Sequence, residues 1–166
     1  MMRSKFGRGG VAIVMGLAVG AFAAGAEEEK EERIAVDALP PAVTKTVKEK
    51  FPKAGIAGAS KETEDGKTTY EVELLEDKKE IDVSVDADGK ILEVERMIAV
   101  ADLPAAVRDA VKAKYPKAEI EEAEEVTKAE TKSYEVIVEV EDDKERELSI
   151  DPAGKILKDE AEDEDD

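Results

Sequence analysis

The sequence contains no cysteine, no histidine, no tryptophan, no asparagine and no glutamine. Each absence removes a class of chemistry. Without cysteine there is no disulfide, no thiolate nucleophile, no zinc–thiolate site and no residue to carry a lipid at a lipobox. Without histidine the usual general base and the commonest transition-metal ligand are missing. The missing amides take away side-chain donors for an oxyanion hole. The five serines have no histidine partner. A Ser–Lys pair, for example Ser149 with a lysine, remains formally possible, but both Ser84 and Ser149 read as ordinary outward strand residues. Carboxylates are too numerous for any pair of them to mark a general acid and base. The expectation is a protein without enzymatic activity, cofactor or dedicated metal site.

Two features dominate what is present. The first is the N-terminal order of residues. Arg3, Lys5 and Arg8 precede an apolar stretch from Val11 to Ala23, Ala24-Gly25-Ala26 closes it with small residues, and Glu27-Glu28-Glu29 follows. That order predicts a Sec signal peptide over 1–26, cut after Ala26, and a periplasmic or secreted product. The apolar run is short of the roughly 20 residues that a membrane span needs, so no membrane association is expected after cleavage. The second feature is charge. After Ala26 the chain carries 22 basic against 43 acidic side chains, a net of −21. Such a surface repels nucleic acid and anionic lipid and attracts cationic proteins and, weakly, calcium.

The chain also says nearly the same thing twice. IAVDALPPAV (34–43) returns as IAVADLPAAV (98–107), VKEKFPKA (47–54) as VKAKYPKA (111–118), TTYEVEL (68–74) as KSYEVIV (132–138), and SVDADGKIL (84–92) as SIDPAGKIL (149–157). Over 33–75 and 80–92, 26 of 56 aligned positions are identical, at an offset of 64 that becomes 65 near residues 76–80. The repeating unit is therefore about 60 residues long, a size that is marginal for a domain alone.

In each copy Leu-Pro opens a helix of about three turns, with Val43, Val47 and Phe51 on one face and lysines on the other; Pro52 ends it. The period then changes to two. Ala54 and Ile56 open a weak strand. Tyr70, Val72 and Leu74 alternate with acids, as do Ile81, Val83 and Val85, which predicts half-buried antiparallel strands. Ile91, Leu92 and Val94 begin a return strand that runs toward Val100 and joins the copies without a flexible linker. The expected fold class is α+β, with two tandem modules, each one helix packed on a small antiparallel β-sheet. The expected division is a signal peptide (1–26), an acidic linker (27–32), repeat 1 (33–96), repeat 2 (97–158) and a disordered acidic tail (159–166).

The ordered set Leu39, Pro40, Phe51, Pro52, Tyr70, Val72, Asp86, Gly89 and Lys90, with Leu103, Pro104, Tyr115, Pro116, Tyr134, Val136, Asp151, Gly154 and Lys155 in the second copy, resembles the PepSY-like family in two tandem copies. That family is also described as similar to the β-lactamase inhibitory protein. The resemblance implies an exported domain that acts by protein contact, in the way related PepSY domains restrain secreted peptidases. The β-lactamase inhibitory protein has disulfides and an aromatic-rich binding face. This chain has neither, because its aromatics after residue 26, Phe51, Tyr70, Tyr115 and Tyr134, all fall on the core side of the pattern.

If Tyr70, Val72, Leu74, Ile81, Val83 and Val85 face the helix, then Glu71, Glu73, Asp82 and Ser84 face away from it. In the second copy the outward set is Glu135, Ile137, Glu139, Glu147 and Ser149, with Ile137 as the apolar exception. These nine residues form the candidate partner-binding sheet face, for a cationic protein or a secreted enzyme. Asp86-Ala87-Asp88-Gly89 has the look of a calcium loop, but its twelfth position is Met97 where a glutamate ligand is needed; it reads as a turn. The function expected is an exported, non-enzymatic protein-binding module that regulates or inhibits a secreted hydrolase or peptidase. The alternative is an acidic, extracytoplasmic divalent-cation-binding protein. Self-repulsion at −21 predicts that the melting temperature rises when ionic strength is brought to about 0.15 M, where the screening length is about 8 Å. Melts followed by circular dichroism check this, and a flat response would mean that the charges are already locally paired.

Overall fold

The computed structural model describes residues 31–64, 66–141 and 144–161; the expected leader, 1–26, and residues 162–166 of the expected tail lie outside them. The elements are β1 (Glu32–Arg33), α1 (Pro41–Lys50), β2 (Gly55–Glu64), β3 (Lys67–Glu76), β4 (Lys79–Asp86), β5 (Ile91–Met97), α2 (Ala105–Lys114), β6 (Glu119–Lys128), β7 (Thr131–Glu141), β8 (Lys144–Ile150) and β9 (Ile156–Ala161), with a short 3-10 turn before each helix. Each helix begins where the sequence pattern places it. Proline sits at the first turn, where its missing N–H costs nothing. Phe51 (φ −124°) and Tyr115 (φ −126°) leave the helical region just before a proline, each still donating its N–H to a carbonyl of the last turn. Lysines end both helices, where the macrodipole favours positive charge.

The strands form one nine-stranded antiparallel sheet in the order β1 to β9. This corrects the expected architecture of two modules with separate small sheets. The reason is the far edge of β5. It is not a sheet end: it pairs with β6 over five residues, from Glu93↔Lys128 to Met97↔Glu124, and the Ile98 N–H donating to the Ala123 carbonyl (2.9 Å) continues the ladder. A free β5 edge would expose a row of unmet backbone donors and acceptors. The first half shows what such an edge looks like when it is barely covered. β1 pairs with β2 through Arg33↔Ser60 and Glu32↔Lys61, which are the positions of Met97↔Glu124 and Arg96↔Glu125 shifted by 64. The two-residue β1 is thus the stub of what β5 is in full. The boundary expected at 96/97 falls inside β5.

Both helices lie on the same face. Val94 packs on the first core and pairs with Thr127; alternation along β6 then puts Ala123, a residue of the second core, on the same side. The first core joins Val43, Val47 and Phe51 to Val72, Leu74, Ile81, Val83 and Val85. The second joins Val107 and Val111 to Tyr134, Val136, Val138, Leu148 and Ile150. Tyr70 and Tyr115 pack against these cores, half-buried.

The two cores differ at one coupled site. Phe51, Ile81 and Val94 are apolar neighbours of the first core, and the repeat places Tyr115, Arg146 and Asp159 in their positions. The Asp159 carboxylate accepts from the Tyr115 hydroxyl (2.8 Å) and Arg146 Nε (2.6 Å) and is ion-paired with Lys114. Burial alone would raise this carboxyl, but hydrogen bonds from Lys114, Arg146 and Tyr115 outweigh it and hold it below the usual carboxylate range. β9 therefore runs on to Ala161, past the expected start of the tail at 159.

The β4–β5 and β8–β9 turns dock the helices. Asp86 Oδ1 accepts from the Asp88 and Lys90 N–H groups (3.0 and 2.9 Å), and Asp151 does the same for Ala153 and Lys155. Thr46 Oγ1 donates to the Gly89 carbonyl (2.8 Å). Gly89 and Gly154 both stand at φ +88°, and a Cβ there would meet the Ala42 carbonyl oxygen at 2.9 Å or that of Ala106 at 2.6 Å. Gly89→Ala and Gly154→Ala should each cost about 1–2 kcal/mol from backbone strain alone, with helix displacement adding to it. Urea unfolding of the two variants checks this, against Gly55→Ala, which meets open space.

Candidate functional site: the acidic outer face of the sheet

With both helices on one side, alternation sends the acids to the other. Register then sorts them into rows across the strands. One row reads Ser60, Glu71, Ser84, Glu93, Lys128; the next reads Gly58, Glu73, Asp82, Glu95, Val126. Further along, Glu124, Glu135, Ser149 and Lys158 are in register, as are Glu122, Ile137, Glu147 and Glu160, and Glu139 faces Glu145. All nine residues expected on the outer face, Glu71, Glu73, Asp82, Ser84, Glu135, Ile137, Glu139, Glu147 and Ser149, lie on it and are half-buried. The continuity of the sheet brings the two sets onto a single surface.

The sequence pattern did not single out its centre. Glu93 and Glu95 on β5 are each only 8 % exposed, Val126 on β6 is 2 % exposed, and Glu124 stands beside them. Alternation marks all four as outward. What it does not reveal is that β5 has a strand on both sides, so that neighbouring side chains close over it.

Like charges in register on adjacent strands, about 4.8 Å apart, disfavour one another's ionisation. Burial, with Glu124, Glu135, Glu93 and Asp82 adding to it, pushes Glu95 up to about 9. Burial followed by acidic neighbours pushes Glu71, Glu124 and Glu135 up to about 7 and Asp82 to about 6. Three cations on this side are already engaged: Lys128 with Glu93 (2.9 Å), Arg33 with Glu73 (2.9 Å) and Lys158 with Glu160 (2.9 Å). At neutral pH the centre of the face therefore holds protons.

Two other features carry less chemistry. Among the described residues no group of three or more acids is arranged to hold a metal ion, and the Asp86 carboxylate that opens the calcium-like stretch is used inside its own turn. On the helix side, an open groove lined by Val36, Leu39, Pro41, Thr44 and Ile56 is mostly apolar, with Asp37, Lys45 and Lys48 at its margin.

A carboxyl raised in the folded chain keeps a proton that the unfolded chain has lost. Its contribution to stability is therefore full below the unfolded value of 4.5 and is lost as pH rises through about 9. The melting temperature should fall steadily from pH 5 to pH 8. Glu95→Gln, which keeps the shape of the protonated group, should raise the melting temperature at pH 8 and flatten the slope. A wild-type profile that rises over this range would show that these carboxyls are ionised and solvated.

Comparison with known proteins places this geometry. Residues 68–158 match the family described as "Putative beta-lactamase-inhibitor-like, PepSY-like", and residues 34–95 match the one described as "Peptidase propeptide and YPEB domain". The first match runs from β3 to β9, across the middle of the sheet. No curated protein matches the sequence. Among solved structures, a BLIP-like protein from Bacteroides fragilis shares the fold at 22% identity and a TM-score of 0.61, over 76% of this chain and 89% of that one. A protein described as "putative periplasmic" from Bacteroides eggerthii does so at 17% identity and a TM-score of 0.63, over 74% of this chain and 88% of that one.

Proposed function

The chain belongs to the PepSY-like family, and on that premise we propose that it is an extracytoplasmic, non-enzymatic binding module that receives a cationic segment of another protein on the outer face of its sheet. The observation that carries this reading is the acidic face itself, continuous from β2 to β8 and unbroken at the middle of the chain. From β3 to β8 it spans five strand intervals, about 24 Å. That width suits a protein surface or an extended segment better than a small molecule. Charge of one sign over such a width steers an oppositely charged partner and rejects others. The inhibitor-like description of the family, and the BLIP-like description of one structural relative, support a finer form in which the partner is a secreted hydrolase or peptidase held in check. The N-terminal pattern over 1–26 and the periplasmic description of another relative support the compartment. The divalent-cation reading draws on the same charge but needs converging oxygens, which the described residues do not offer.

Glu71→Lys, Glu135→Lys and Glu147→Lys together replace three acids of the face by three cations without touching either core. Cross-linking capture from the native envelope fraction, read by mass spectrometry, should recover a basic partner with the wild type and lose it with the triple variant. Recovery of the same partner by both would discard the acidic face as the binding surface.

A further inference from the structure

We propose that the centre of the acidic face is a socket for a single guanidinium group, an arginine side chain of the partner that pairs with Glu95 between Asp82 and Glu124. The proposal rests on the reading of this face as a binding surface and names what its centre takes.

The unusual residue is Glu95. It is only 8 % exposed, yet among the described residues it makes no hydrogen bond and no ion pair. Buried polar groups nearly always find a partner, and a buried carboxyl without one is costly. Every element packed around it presents charge of its own sign: Asp82 directly opposite on β4, Glu93 two residues away on β5, Glu124 on β6 and Glu135 on β7. The nearby lysine, Lys128, is committed to Glu93 at 2.9 Å. The position thus has the walls of a cation site and no cation of its own.

The shape of the group follows from the arrangement. Asp82, Glu95 and Glu124 sit on three adjacent strands and do not converge on a point. A compact ion would satisfy few of them. Guanidinium is planar, carries five N–H donors that fan outward, and is weakly hydrated for its charge. Its edge suits carboxylates that are spread along neighbouring strands. In the free protein Glu95, pushed up to about 9, keeps its proton at neutral pH. An arriving guanidinium favours the ionised form, so binding releases that proton to the buffer.

The test uses a blocked peptide, acetyl-Thr-Val-Arg-Val-Thr-amide, and its citrulline counterpart, which has the same shape without the charge. Calorimetry at pH 7.5 and low ionic strength, in two buffers of different ionisation heat, gives affinity and protons released together. The wild type should bind the arginine peptide with release of about one proton and the citrulline peptide at least about tenfold more weakly, the order expected for a lost charged hydrogen bond. Glu95→Gln should lose about the same factor and the proton release with it. Should that variant not fold, Glu124→Gln at the margin of the socket is read instead. Equal binding of the two peptides, no binding of either, or unchanged affinity and proton release in the glutamine variants would overturn the socket. If the triple lysine variant still loses its partner in that case, the acidic face stands as the binding surface and only the socket falls.

Discussion

The pairing of β5 with β6 is the constraint on which the rest of the molecule depends. It turns two similar halves into one sheet, and it moves the acids of β5 from an edge to an interior. The repeat shows the contrast directly. Glu93 and Glu95 correspond to Lys158 and Glu160, which lie on the terminal strand β9 and pair with each other at 2.9 Å. At the edge, charge is solvated and can be balanced locally. In the middle, the same alternation leaves a carboxyl enclosed by four others. A burial pattern that looks like an ordinary solvated strand in sequence becomes an electrostatic feature only through its neighbours.

The helix side shows the complementary behaviour. At the place where the first half uses Phe51, Ile81 and Val94, the second uses Tyr115, Arg146 and Asp159. A half-buried carboxylate is tolerated there because it has three partners, and its proton affinity falls. Glu95 is more deeply buried and has no such partners, and its proton affinity rises. The two acids lie on opposite faces of one sheet and mark the difference between a closed polar network, which fixes structure, and an open one, which is available to a ligand.

Much of this was legible in the sequence. The spacing of Val43, Val47 and Phe51 gave the helix and its end before Pro52, and Tyr70, Val72 and Leu74 gave the face that packs on it, because one-sided burial imposes these periods directly. Asp86 and Gly89 gave the turn, since a positive φ against a helix carbonyl admits little else. The nine outward residues were placed correctly by the same alternation. The single sheet was not legible. Periodicity reports which way a side chain points, not how many strands flank it, and a repeat boundary drawn at residue 96 hides a ladder that crosses it. The burial of Glu95 and the partners of Asp159 were missed for one reason: an acid in an acid-rich chain reads as solvated until its neighbours are known.

The functional reading joins these points. A sheet face several strands wide, mostly acidic and holding protons at its centre, stores an unmet demand for positive charge, and the protein contact proposed for it would meet that demand. The most direct measurement is a carboxyl-carbon NMR titration of Glu95 in the full chain. The account predicts a midpoint near 9. A midpoint near 4.5 would mean that β6 does not close over β5, and the single sheet, its acidic centre and the binding role built on it would be contradicted together.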